Sequence, residues 1–287
     1  MEDHGFKLVE CPRDAMQGFS RFIPTKLKVR LINQLLKVGF HTLDFGSFVS
    51  PKHVPQMEDT EEVLNGIDIS STSTKLLAIV VNMKGVERAL QFPAISFLGY
   101  PLSVSETFQR KNANQSIEGS VELANRTQEL CIRNGKELVV YISMGFGNPY
   151  NDPYNQETVL TMVERLRKIG TKTFSIADTT GGAGPEEIHG LLSLLIREFD
   201  GIEFGAHLHV VPGKENEKID AVIKAGCKRL DGALLGLGGC PFAQDKLTGN
   251  LSTEAIVSHL WSANIDIGIN EEALKRAIGI ATEIFKA

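Results

Sequence analysis

The chain has 287 residues, 42% apolar and 23% charged, with a formal net charge of −5. This length accommodates one large core and is short for two α/β domains joined by a linker, and the acidic balance argues against a nucleic-acid partner, which wants a basic surface. No apolar run of about 18 residues offers a membrane span, and residues 1–5 do not lead from a basic segment into an apolar one, so no membrane association and a cytoplasmic location are expected.

Along the chain, short runs rich in β-branched and aromatic residues alternate with amphipathic stretches. The first strand is expected at 6–11, followed by a helix over 25–38 with Leu27, Val29, Leu31, Ile32, Leu35 and Leu36 at helical spacing. Strands follow at 42–45, 76–81, 94–98 and 138–143, then a helix over 157–169 and a strand at 173–177. Pro185 suits the first turn of a helix over 185–199, and strands at 203–209 and 229–234 bring the count to eight. Gly39 and Gly170 each stand where a helix should end, and two last helices are expected over 252–263 and 271–286. Eight strands alternating with helices predict an α/β fold, a (β/α)8 TIM barrel, as a single domain over 1–287 with an extra C-terminal helix. The rival is an open Rossmann-type sheet, and it wants a G-x-G-x-x-G after the first strand that this chain lacks.

A barrel of this kind carries its active site at the C-terminal ends of the strands, and three polar clusters fall there. Arg13 and Asp14 follow the first strand, offering a fixed cationic fork and a hard oxygen ligand; alone, they fit a solvated loop equally well. His207 and His209 alternate within a strand and share a face, as a metal pair or as two unrelated histidines. Gly236, Gly238 and Gly239 run into Cys240 and Pro241, a composition suited to a lid or to an ordinary flexible turn with an inert thiol. Asp44 and Asp178 sit at strand ends on the same face, where together with Asp14 and the histidines they make a rim rich in metal-competent groups. The four cysteines, Cys11, Cys131, Cys227 and Cys240, include no C-x-x-C pair, so neither a structural zinc nor a disulfide framework is expected.

Together these clusters resemble the 3-hydroxy-3-methylglutaryl-CoA lyase family of metal-dependent lyase and synthase barrels. The resemblance runs from Val9 to about Ile265. It rests on Pro12-Arg13-Asp14 with Gln17, on Ser-Phe-Val-Ser-Pro-Lys at 47–52 and its continuation to Met57, on His207 and His209, on 236–241, and on Gly249-Asn250-Leu251 with Thr253-Glu254. It implies one divalent cation, Mg²⁺ or Mn²⁺, held by Asp14, His207, His209 and Asn250. It implies Arg13 neutralising a thioester enolate, Cys240 assisting proton transfer, and Gln17, Asp44, Ser47 and Asp178 supporting substrate and ligands; His207 or an Asp–water pair would act as base. The implied substrate is a small-molecule acyl-CoA, cleaved to acetyl-CoA and acetoacetate, with pairing into a homodimer. Other acyl-CoA lyases, Claisen-type synthases or aldolases acting on a 2-oxo acid, and a non-catalytic barrel are the alternatives. The chain departs from the family pattern at Ala15 for Gly, Asp44 for Glu, Val210 for Asp, and Met144 and Asn148 where cysteines are common. Its lid segment is also longer, with Asp245-Lys246-Leu247 before Thr248.

Overall fold

The computed structural model describes residues 5–239 and 248–286. Its elements run β1 (Lys7–Glu10), α1 (Pro12–Gln17), α2 (Thr25–Leu35), β2 (Thr42–Ser47), α3 (Thr60–Gly66), β3 (Lys75–Ile79), α4 (Met83–Leu90), β4 (Ile95–Ser103), α5 (Glu106–Ala113), α6 (Ile117–Arg133) and β5 (Glu137–Ser143). They continue α7 (Gln156–Lys168), β6 (Thr173–Asp178), α8 (Pro185–Glu198), β7 (Glu203–Val210), α9 (Glu215–Lys224), β8 (Arg229–Gly232), β9 (Gly249–Asn250), α10 (Thr253–Ser262) and α11 (Glu271–Lys286). β1 to β8 pair in parallel in chain order, and β8 returns to β1, closing the expected barrel. All eight expected strands are present. β9 is extra, a short antiparallel partner of β7 at the barrel mouth.

Strand parity divides the side chains into two layers. Inside the barrel, Leu77, Ile79, Phe97, Val139 and Tyr141 form a small apolar cluster. Outside it, Leu8, Leu43, Phe45, Leu98, Leu102, Val140, Ile142, Phe174, Ile176 and Leu208 pack beneath the helices in the main core. Burial of this outer layer removes the apolar faces of sheet and helices from water together, the main driving force for the fold.

Several boundaries differ from the sequence reading, three of them near the barrel mouth. β4 continues past 98 to Ser103, because Gly99 and Pro101 interrupt the apolar pattern without interrupting the pairing with β5. β8 ends at Gly232, and the chain tightens into a 3₁₀ turn at Leu234–Gly236. The segment after β1 is no solvated loop but helix α1, with Pro12 at its start and residues 12–16 buried. Proline there costs nothing, since a first-turn N–H has no intrahelical partner. The C-terminal helix α11 lies along α2, through Arg30–Glu283 (2.9 Å) and Gln34 Nε2 donating to the Ala273 carbonyl (2.9 Å).

Candidate active site

Helix α1 begins one residue after β1, so Arg13 and Asp14 are set at the C-terminal mouth of the barrel. Arg13 Nε donates to Asp44 Oδ2 at 3.0 Å and Nη2 to the same oxygen at 2.5 Å. Its Nη1 donates to Asp14 Oδ1 and Gln17 Oε1, both at 2.9 Å. Gln17 Nε2 closes the ring by donating to Asp14 Oδ1 at 2.6 Å. Burial works against the Arg13 charge, and the Asp44 and Asp14 carboxylates more than reverse it. Burial, with Asp14 and Asp231 nearby, pushes the Asp44 carboxyl up to about 6 against the pull of Arg13.

The other oxygen of Asp14 is held from the opposite wall. Asp14 Oδ2 accepts from Asn250 Nδ2 at 2.6 Å and from the Gly239 N–H at 3.1 Å. β9 makes this possible, because its register sets Asn250 opposite His209. The glycine-rich turn must come very close: Gly238 has φ +97°, and a β-carbon there would stand 2.5 Å from Asn250 Nδ2 and 2.7 Å from Asp14 Oδ2. Only glycine fits at that distance and backbone angle. Burial opposes ionisation of Asp14, yet Arg13, the two imidazoles and the Asn250 bond hold its pKa down at about 2.

His207 and His209 point inward from β7, as their parity requires, with ring centroids 5.4 Å apart. Each turns Nδ1 to an acceptor. His207 Nδ1 is 3.2 Å from Asp231 Oδ2, and His209 Nδ1 is 3.0 Å from the Thr179 carbonyl. That leaves Nε2 on both rings for the mouth. Burial and the neighbouring His207 lower the pKa of the His209 ring. Burial lowers that of His207 too, but the Asp231 bond and charge raise it overall.

Donor atoms of Asp14, His207 and His209 lie within 4.8 Å of one another. One carboxylate and two imidazoles with their far nitrogens occupied are a donor set that fits a divalent cation, with sites left for oxygen ligands. Asn250 meets Asp14 with its nitrogen, so as a ligand it would turn its Oδ1 to the ion.

These groups floor a cavity of about 850 Å³, with Arg13, Asp14, Gln17, Ser47, His207 and His209 at its inner end. Its outer end is lined by α5, α6 and the turn between them, including Lys111, Gln115 and Arg126, with His53 opposite. Asp44 stands behind Arg13 and Asn250 behind Asp14. Asp178 does not join them: with Phe174 and Ile176 it faces the helix layer, where Lys218 Nζ of α9 donates to it at 2.7 Å. The reading of Asp178 as a mouth residue failed on parity, one position from the inward Ala177 and Thr179. Cys240 lies outside the described residues. Sequence reasoning missed Asp231 and Tyr141, whose ring meets His207 edge-on at 5.9 Å. The available signal was polar residues at inward positions of strands already recognised.

The HMGL-like family model matches residues 7–279. The chain is 33% identical to the mitochondrial hydroxymethylglutaryl-CoA lyase of Mus musculus over 274 residues, covering 94% of this chain and 83% of the relative. It is 32% identical to a hydroxymethylglutaryl-CoA lyase of Bacillus subtilis over 266 residues, 93% and 88% of the two chains. Among solved structures, it is similar to an HMG-CoA lyase from Acinetobacter baumannii in complex with coenzyme A and 3-methylmalate. That match has a TM-score of 0.91 at 30% identity and covers 100% of this chain and 93% of the other.

Proposed function

Because this chain belongs to the HMGL-like family, we propose that it is a carbon–carbon lyase that cleaves 3-hydroxy-3-methylglutaryl-CoA to acetyl-CoA and acetoacetate at this cavity. One observation carries the reading: Arg13, Asp14, His207 and His209, from two parts of the chain almost 200 residues apart, share the cavity floor, where a cation and a developing oxyanion would both be met.

Asp14, His207 and His209 are the residues to hold a divalent cation, Mg²⁺ or Mn²⁺ in this reading, with Asn250 in support. When bound, such an ion orients the substrate's oxygens and lowers the pKa of its tertiary hydroxyl. Asp44, Asp14 and Gln17 use four of the five N–H groups of Arg13, leaving one Nη2 hydrogen for a substrate oxygen. A guanidinium fixed this firmly needs no reorganisation as charge grows on the thioester oxygen, so it favours the transition state over the ground state. The His207 ring has one free nitrogen edge toward the mouth. If that nitrogen held the cation, a water paired with Asp14 would be left to take the hydroxyl proton. Cys240, on the glycine-rich segment, protonates the enolate carbon. Lys111 and Arg126 give the outer end a basic character suited to the phosphates of CoA.

A cytoplasmic location and a homodimeric state complete the proposal; one relative, from Danio rerio, is named as a cytoplasmic 3-hydroxy-3-methylglutaryl-CoA lyase. No helix of the described residues is long and apolar enough to cross a membrane. The decisive measurement is acetoacetate release from 3-hydroxy-3-methylglutaryl-CoA. Activity should vanish after dialysis against EDTA and return with Mg²⁺ or Mn²⁺. Full turnover by metal-free protein would reject the cation's role, and no acetoacetate under any metal would reject the reaction.

A further inference from the structure

Beneath the cavity floor is a second set of donors that the proposed reaction leaves unused. It comes from the adjacent strands β7, β8 and β1, whose register sets His207 beside Asp231 and Asp231 beside Val9. Cys11 follows Val9 by two residues and so shares its inward side. A Cys11 sulfur, a His207 ring nitrogen and an Asp231 oxygen lie within 4.8 Å of one another. Nδ1 is the ring nitrogen on this side, facing Asp231 Oδ2. Cys11 and Asp231 are 1% and 2% exposed. The remaining oxygen of Asp231, Oδ1, is buried with no hydrogen-bond partner. A bare carboxylate oxygen in a closed interior calls for a positive or protic partner.

We propose that Cys11, Asp231 and the Nδ1 edge of His207 form a second cation site, for a borderline-soft divalent ion of the Zn²⁺ class. One thiolate, one imidazole and one carboxylate are three ligands of that ion's tetrahedral set. Thiolate is a poor ligand for Mg²⁺, so the two sites differ in the ions they select. Arg229, two residues before Asp231 on the same side of β8, offsets part of the carboxylate charge. The sulfur bond, rather than charge alone, therefore retains the ion. Binding expels the thiol proton of Cys11. Spacing rules along the sequence could not find this site, because its ligands come from β7, β8 and the residue that follows β1.

His207 belongs to both sites, and this couples them. A neutral imidazole has one lone pair. Given to an ion at the mouth through Nε2, it leaves a proton on Nδ1 for Asp231 to accept. Given to an ion below through Nδ1, it leaves the proton on Nε2. The two ions compete for one ring, so occupation of the lower site switches the upper one off. This coupling rests on the proposed reading of the mouth; the lower site itself does not.

Cobalt titration of the metal-free, full-length protein tests both parts. Co²⁺ should give a thiolate-to-metal charge-transfer absorption that Cys11→Ala abolishes and Cys240→Ala retains, and Zn²⁺ should displace it. Added Mn²⁺ should raise the apparent Kd for Co²⁺. An absorption that survives in Cys11→Ala, or none at any Co²⁺ concentration, overturns the site. If Cys11→Ala does not fold, Asp231→Asn keeps the shape and should weaken Co²⁺ binding about 10–100-fold; unchanged affinity overturns the proposal equally. Intact absorption with Co²⁺, together with no acetoacetate from the metal-free protein reloaded with Mn²⁺ or Mg²⁺ alone, would sink the reaction and leave this site standing.

Discussion

The mouth of the barrel and the helix layer just behind it both hold buried carboxylates, and they treat them differently. Behind the strands, Asp178 accepts from Lys218 Nζ and from the Ala183 N–H, and Lys218 spends its other donors on the His209 and Gly181 carbonyls. Glu10 likewise accepts from the Leu234 N–H and the Thr253 hydroxyl. Neither carboxylate lines the large cavity. In the mouth, Asp14 and Asp44 share one guanidinium, and the donor atoms of Asp14 and the histidines face a large cavity. Acids tied into closed networks hold the fold together, while acids left in excess beside open space are equipped to bind a cation.

The largest effect expected from breaking this division is at Arg13. Arg13→Gln keeps a hydrogen-bonding group but loses the charge at the developing oxyanion. Turnover should fall about 10³-fold or more, since one preorganised donor is worth about 10²–10³. Steady-state kinetics with saturating Mn²⁺ would show it, and near-normal kcat would remove Arg13 from the chemistry. On the other side, Lys218→Met leaves Asp178 buried and unpaired. It should cost about 3–5 kcal/mol of stability in denaturant unfolding, with kcat of the folded fraction held within about tenfold. A kcat loss as deep as that of Arg13→Gln, at unchanged stability, would erase the distinction between the two layers.

Much of this division was legible in the sequence, and the unread part has one cause. The eight strands stood out because parallel strands buried on both faces are short apolar runs. Arg13, Asp14, His207 and His209 stood out because they follow or end such runs. Asp178 looked equivalent to them, but a one-residue difference in parity carries a side chain through the sheet, and the end of a strand cannot be read that finely from composition. Asp231 was passed over for the opposite reason: it sits inside a recognised strand, where its inward direction matters more than its position along the chain. Pro12 carried the same first-turn signal that identified the helix at Pro185, and the short length of α1 hid it. Asn250 came only from resemblance, since nothing local predicts a two-residue strand pairing with β7.

A finer contrast lies in how the layers respond to pH. Burial, outweighing the Thr253 and Leu234 bonds, raises the Glu10 carboxyl to about 8. The folded state thus binds a proton that the unfolded chain has released above its ordinary range near 4.5. Its stabilising contribution is full below about 4.5 and is lost as pH rises through about 8, with a slope approaching about 1.4 kcal/mol per pH unit. Glu10→Gln should flatten that slope in urea unfolding across pH 5 to 8. An unaltered slope would show that Glu10 stays ionised in its closed network.

The smallest effect is expected at the outer end of the cavity. Arg126 is exposed on α6, so its field is screened by water and salt. It touches none of the groups at the cavity floor, and any help it gives the substrate is the same before and in the transition state. Uniform binding of that kind moves KM and not kcat. Arg126→Ala should therefore raise KM for the CoA thioester by up to about tenfold, equivalent to about 1.4 kcal/mol, with kcat unchanged. The difference from wild type should shrink as ionic strength rises. An unchanged KM at low salt would mean that the CoA phosphates do not lie between α5 and α6, and the substrate would have to enter the mouth from another side.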